Sequence, residues 1–258
     1  MIKKILFLCM TLMILLMPKG PVEAAGITAY EKFISPAYWT KHNADGDKVV
    51  LNAAGVEAFN KKIIAASPTV YDMAAYPKTL SGKTVTAYVN THTDLSDELY
   101  REGKLVSDNY KNILRSQTNA AAIPAEVTVR YGVTVRRANL RNLPTGEGLF
   151  FYASDRNFDA LQETALDPGE AVAILHTSTN GYFYYVQAYN YRGWLSKFDV
   201  AETDRSTWLR YAEPKNFLTV VAKDYTLKAD GAQVLFQQGA RLQLADKKAS
   251  AYTVKVPV

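Results

Sequence analysis

The sequence predicts an α+β chain: a mainly helical N-terminal module, then a small β-barrel, then the start of a second, incomplete barrel. Three observations carry that expectation. Apolar residues recur at helical spacing behind capping residues as far as Glu126. Beyond Pro124 the period changes to the alternation of half-buried strands, and turn signals cut the chain into runs too short for a sandwich of long strands. The resulting boundaries are a leader over 1–24, a helical module over 25–126, a first barrel over 127–212 and a second over 213–258.

Lys3 and Lys4 precede an apolar run from Ile5 to Met17, and Pro18, Gly20 and Pro21 lead to Val22-Glu23-Ala24. A charged start, an apolar stretch and a small-residue site make a secretory signal, cut near Ala24 or Ala25. The run is shorter than the roughly 20 residues that span a bilayer. Cys9 lies inside it, behind Leu6-Phe7-Leu8, without the small neighbour that a lipoprotein signal requires. Once exported, the chain therefore has no thiol, which excludes disulfides, thiolate metal sites and a cysteine nucleophile. Removing Lys3, Lys4, Lys19 and Glu23 leaves 27 of 30 basic and 24 of 25 acidic residues, so the net charge of +5 falls to about +3. That balance suits an anionic wall or a plain solvated surface, and it is too weak for nucleic acid.

Asn52 is placed to cap a helix whose apolar positions Val56, Phe59, Ile63 and Ile64 end near Ser67-Pro68. A second helix is expected to hold Leu95 and Leu99-Tyr100 and to stop at Gly103. Ser107 caps a third, with Asp108 in its first turn and Tyr110, Ile113 and Leu114 on one face. Strands follow at Val127 to Val135, Ala171 to Leu175 and Tyr182 to Val186. Turns are expected at Leu143-Pro144-Thr145-Gly146, Asp167-Pro168-Gly169-Glu170, Thr179-Asn180-Gly181 and Tyr191-Arg192-Gly193, with one long excursion from Leu143 to Leu166. Short strands then recur at Phe217 to Val221, Tyr225 to Leu227, Val234 to Phe236 and Tyr252 to Val258. The last segment stays apolar to Val258, from which a truncated sequence or an unfinished barrel is expected.

No catalytic constellation stands out. His42, His92 and His176 are scattered and lack metal-ligand spacing, and no Gly-x-Ser-x-Gly elbow is present. Asp155 and Asp159, with Glu163 and Glu170 nearby, are the residues that paired-carboxylate glycoside chemistry would use. Acidic loop residues more often cap turns. The aromatics of Tyr182, Phe183, Tyr184, Tyr185 and Trp194 must divide between a core face and an outer face if they alternate along strands.

Arg137-Ala138-Asn139-Leu140-Arg141-Asn142-Leu143-Pro144-Thr145, Phe158-Asp159-Ala160-Leu161-Gln162-Glu163-Thr164-Ala165-Leu166, Pro168-Gly169-Glu170 and Gly193-Trp194-Leu195 together resemble the first bacterial SH3 domain of multidomain NlpC-type cysteine peptidases. Ser35-Pro36-Ala37-Tyr38-Trp39, Leu51-Asn52, Ala58-Phe59-Asn60, Leu99-Tyr100 and Gly103 resemble the helical stabilising module that precedes it. Gln238-Gly239-Ala240-Arg241-Leu242-Gln243-Leu244 and Ala251-Tyr252-Thr253-Val254 resemble the second SH3 domain.

The resemblance implies an SH3-like barrel followed by an incomplete SH3-like barrel. It also implies a hydrolase that cuts peptidoglycan stem peptides between γ-D-glutamate and a diamino acid, by thiolate attack from a downstream papain-like domain. This chain departs from the pattern in having no such domain and no thiol to inherit, so no catalytic residue, metal or cofactor is assigned. Its implied partners are stem peptides and that downstream domain, outside the cell or in the periplasm. The loop after the first strand, with Phe150, Phe151, Tyr152, Asp155, Asp159 and Gln162, is implied to border the substrate. Phe151, Tyr152, Asp159, Gln162 and Arg141 are the candidate substrate-binding residues. Asp159 can pair with a free stem-peptide amine and Tyr152 can wall the pocket, or Asp159 and Gln162 can bond the loop's own backbone. A stand-alone wall-binding protein without an enzymatic partner is the alternative, and an independent hydrolase using the acidic loop is a third reading.

Overall fold

The computed structural model describes residues 30, 32–91, 93–229 and 231–257. The leader with Cys9, and His92, lie outside the described residues. Two compact units, Met1–Ala58 and Phe59–Val258, divide the chain. Among the described residues no helix is long and apolar enough to cross a membrane.

The first unit holds a 3-10 turn, Lys32–Ile34, the short helix α1, Pro36–His42, and the start of α2, Ala53–Ala66. Pro36 opens α1, where its missing N–H costs nothing. Trp39 Nε1 donates to Phe33 O at 2.6 Å, and the His42 ring stacks on Tyr38 at 4.1 Å. Asn52 caps α2 as expected, accepting from Gly55 N at 2.8 Å, and the helix ends at Ala66 before Ser67-Pro68. Its stripe of Val56, Phe59, Ile63 and Ile64 is exposed, not packed as the periodicity suggested.

In the second unit, β1 (Thr79–Ser81) leads into α3 (Gly82–Asn90), which Ser81 caps through Thr84 N at 3.1 Å. The expected helix over Leu95 to Gly103 does not form. β2 (Tyr100–Arg101) and β3 (Lys104–Leu105) make a hairpin there, turned by Glu102 and Gly103 at φ 51° and 80°. Two positive φ values in a two-residue loop give a turn whose twist matches the strands. α4 (Asp108–Ser116) follows with Ser107 accepting from Tyr110 N at 3.3 Å. Leu114 of α4 is buried, whereas Ile113 is exposed.

β4 (Glu126–Thr128) pairs with β1, and the next seven strands form one antiparallel sheet. They are β5 (Arg130–Thr134), β6 (Ala138–Arg141), β7 (Gln162–Leu166), β8 (Ala171–Thr177), β9 (Phe183–Gln187), β10 (Arg192–Ser196) and β11 (Val200–Thr203), in the order β11-β5-β8-β9-β10-β6-β7. The fold is α+β with an SH3-like domain. Ala171 to Leu175 reads as an unbroken apolar run because both faces of β8 are covered. Val172 and Ile174 join Leu140, Val186 and Leu195 inside the curled sheet. Ala171, Ala173 and Leu175 face a second core with Met73, Tyr76, Val85 and Val89, closed by Trp208 of α5 (Arg205–Ala212). Trp208 is fully buried and its Nε1 donates to Val172 O at 3.1 Å.

The turn expected at Tyr191-Arg192-Gly193 lies one step earlier. Ala188 N donates to Tyr191 O at 2.8 Å, and Arg192 already begins β10. Gly193 is there for space: a Cβ on it would lie 2.5 Å from Leu140 Cδ2 and 2.6 Å from Arg141 O. The last segment holds β12 (Phe217–Thr219), β13 (Asp224–Ala229), β14 (Ala232–Gln237), β15 (Arg241–Lys247) and β16 (Tyr252–Lys255), as a β12-β15-β16 sheet and a β13-β14 hairpin around Val220, Val234, Phe236, Ala240 and Leu242.

Candidate functional site

The long excursion between β6 and β7 is built from a charged base upward. Ala138 and Leu140 of β6 point inside the sheet, and Arg141, one residue on, points to the opposite face beside a register shift that leaves Glu163 of β7 unpaired. The Arg141 side chain, only 5% exposed, reaches Asp159 Oδ2 at 2.7 Å and donates from Nη2 to Glu147 O at 2.6 Å. The other oxygen of Asp159 accepts from Leu149 N at 3.1 Å and Leu161 N at 3.0 Å. The carboxylate thus ties both ends of the excursion to one buried guanidinium, with charge-assisted bonds at each step.

Three leucines complete the base. Leu143, Leu149 and Leu161 are fully buried against Leu95, Leu99, Val106 and Leu114. Each contributes about 1.5–3 kcal/mol by leaving water. The loop's core is therefore shared with the β2-β3 hairpin and α4. Backbone bonds seal the contact: Tyr100 N donates to Phe150 O at 2.7 Å and Phe150 N to Tyr100 O at 2.9 Å. Glu147 meets Arg101 Nη2 at 2.8 Å and accepts from the Tyr110 hydroxyl. Burial, reinforced by Glu147, pushes the Tyr110 hydroxyl up to about 12.

On this clamped base the tip faces solvent. Phe151, Tyr152 and Phe158 are 48%, 71% and 77% exposed. Asp155 Oδ1 accepts from Asn157 N at 2.8 Å and Phe158 N at 3.3 Å, and these backbone bonds hold its carboxyl below the usual range. On the hairpin side a groove of about 320 Å³ is lined by Arg101, Glu102, Lys104, Leu105, Val106 and Tyr110. Exposed aromatic rings on a braced loop make a surface for a small amphipathic ligand.

Of the five residues singled out from sequence, Phe151 and Tyr152 stand together at the tip. Arg141 and Asp159 meet each other below it. Gln162 is exposed at the start of β7, where its amide donates to Asn139 Oδ1 at 3.3 Å. Asp155 and Asp159 are each committed to local bonds. His176 is half-buried, 3.0 Å from Asn119 O, and burial lowers its pKa. Among the described residues no three His, Cys, Asp or Glu side chains converge as metal ligands would. Sequence reasoning missed Arg101, Lys104, Tyr110 and Glu147. The Glu102-Gly103 pair is the signal that could have placed the hairpin bearing the first two.

A family model for the SH3 domain of SH3b1 type matches residues 149–196, from the clamped loop to the end of β10. No curated protein sequence matches the chain. A solved structure described as a novel NlpC/P60 endopeptidase from Photobacterium damselae subsp. piscicida is similar to it, with a TM-score of 0.59 at 17% sequence identity. That likeness covers 82% of this chain and 52% of the other, so the chain spans about half the length of that protein and shares its fold.

Proposed function

We propose that the chain is the non-catalytic peptidoglycan-recognition and scaffolding portion of a secreted cell-wall peptidase that cleaves stem peptides between γ-D-glutamate and a diamino acid. The observation that carries this reading is an SH3b1-type domain set within a fold that follows an NlpC/P60 endopeptidase over 82% of the chain. Phe151 and Tyr152 offer apolar walls to a stem peptide's methyl groups. Arg141 and Asp159 act beneath them as positioning residues, and Gln162 presents an amide at the edge. The thiol and its histidine partner belong to a papain-like domain of the complete protein, and the chain works at the wall, outside the cell.

Retention on insoluble sacculi at low salt tests the proposal. Weak binding is expected, since one shallow surface yields little after the cost of association. The paired change Phe151→Ser and Tyr152→Ser should abolish retention without moving the urea midpoint. No retention of the unaltered chain would defeat the wall-binding role. Incubation with purified peptidoglycan should release no muropeptides above a blank, and turnover abolished by Asp159→Asn would overturn the non-catalytic assignment.

A further inference from the structure

The tip of the excursion carries a cation that the fold leaves without a countercharge. Asp155 N donates to Tyr152 O at 3.1 Å and closes a tight turn. Arg156 folds back over that turn, its Nη1 donating to Ala153 O at 2.9 Å and also to Asp155 O. Its Nη2 lies 3.5 Å from the place that a Cβ on Gly103 would take, so the β2-β3 turn backs the guanidinium. The charge is thus held by carbonyl groups of its own loop, at the residue after Tyr152, and no carboxylate takes part. Asp155 is committed elsewhere, accepting from Asn157 N and Phe158 N. Among the described residues Arg156 makes no ion pair.

Which donors remain says what kind of ligand fits. Both hydrogen bonds of Arg156 leave from Nη1, and the residue is exposed. Nε and Nη2 are therefore open, and together they form the edge of a guanidinium that grips two carboxylate oxygens at once. An arginine with that edge open, on a turn whose Phe151 and Tyr152 rings face solvent, suits a ligand that joins a carboxylate to an apolar body. A stem peptide has this pairing, because a glutamate linked onward through its γ-carboxyl keeps its α-carboxylate free.

We propose that Arg156 is a specificity-determining residue of this loop, gripping the free α-carboxylate of a γ-linked glutamate through Nε and Nη2 while Phe151 and Tyr152 hold the peptide's apolar part. The inference rests on the stem-peptide reading above and adds which charge the loop selects. Nuclear magnetic resonance titration of the full chain with acetyl-γ-D-glutamyl-L-lysine amide should move the Tyr152 and Arg156 signals saturably. The isoglutamine counterpart, with a carboxamide in place of the α-carboxylate, should bind about tenfold more weakly. Arg156→Gln should bind the two ligands equally. Arg156→Lys, which keeps the charge and loses the fork, should retain only part of the preference. A residue that merely braced the loop would weaken both ligands alike and leave the preference intact.

Equal affinity of the unaltered chain for the two ligands, a preference that survives in Arg156→Gln, or absence of binding would overturn the inference. So would recovery of affinity by the isoglutamine ligand when its lysine amide is exchanged for a free carboxylate, which would place the other end of the peptide on Arg156. The comparison of carboxylate with carboxamide on the unaltered chain stands whether or not the variants fold. Retention on sacculi, and its loss in the chain with Phe151→Ser and Tyr152→Ser, tests the wall-binding role separately and holds if only the choice of charge is wrong.

Discussion

Arg141 carries a full charge into a site where it is 5% exposed, and one carboxylate answers it. A buried pair adds little over a well-packed apolar one, but removing a single partner leaves an uncompensated charge. Asp159→Ala should therefore destabilise the chain by about 3–5 kcal/mol in urea unfolding, and Asp159→Asn, which keeps an acceptor for Leu149 and Leu161, should cost less. A loss no greater than that of an exposed surface pair would refute the clamp. Gly193 makes a second test at the same place. Gly193→Ala must displace Leu140 or the Arg141 carbonyl, while a Cβ at Gly146 meets nothing within 4 Å. The first change should lower the thermal midpoint by several degrees and the second should be nearly silent. Sequence allowed Asp159 either to meet a ligand or to hold its own loop. The second arrangement is present because Asp159 meets the buried Arg141 guanidinium and the Leu149 and Leu161 N–H groups, partners that the loop brings together across the sequence.

The elements that local chemistry specifies are those with caps. Asn52 and Ser107 precede helices and accept from the N–H three residues on, as their side chains favour. Ser107→Ala should cost about 1 kcal/mol by chemical denaturation, with the loss confined to the α4 region in hydrogen exchange. An unchanged midpoint would mean that packing of Leu114 alone holds the helix. The segment from Leu95 to Gly103 shows the opposite case. Leu95 and Leu99 stand four apart, a helical spacing, yet both are buried in the loop's core while Tyr100 pairs with Phe150 some 50 residues on. Tertiary contact overrides a weak local preference. Gly103→Ala, at φ 80°, should destabilise by about 1 kcal/mol or more in chemical denaturation.

Across the second unit, residues 71–89 and the seven-stranded sheet share one core, and Arg192 marks the seam. Its guanidinium lies 3.3 Å from the centre of the Tyr88 ring, donates to the Tyr71 hydroxyl at 2.8 Å, and holds Gln187 at 2.6 Å. At the other end of the sheet, Glu170 sits in the turn between β7 and β8, close to Arg241 of β15. Burial raises its pKa, against the opposing pull of Arg241. A carboxyl harder to ionise folded than unfolded supports folding while protonated. That support is complete below its unfolded value of about 4.5 and is lost as pH rises through the higher folded value. Glu170→Gln should thus raise the thermal midpoint near neutral pH and flatten its slope above the unfolded value of about 4.5. An unchanged slope would remove Glu170 as the cause.

The helices capped by Asn52 and Ser107 and most turns were legible in the sequence itself, because period and capping depend on neighbours a few residues apart, whereas the helices capped by Ser81 and Asp204 were not foreseen. Aromatic content guaranteed rings on some surface but could not say which: Tyr185 is buried and Tyr182 exposed three residues away. Only the tertiary structure decided that Phe151 and Tyr152 stand out while Asp159 turns in, and that the hairpin at Tyr100 braces their loop. Those outcomes rest on contacts between distant segments, whose partners no local pattern names.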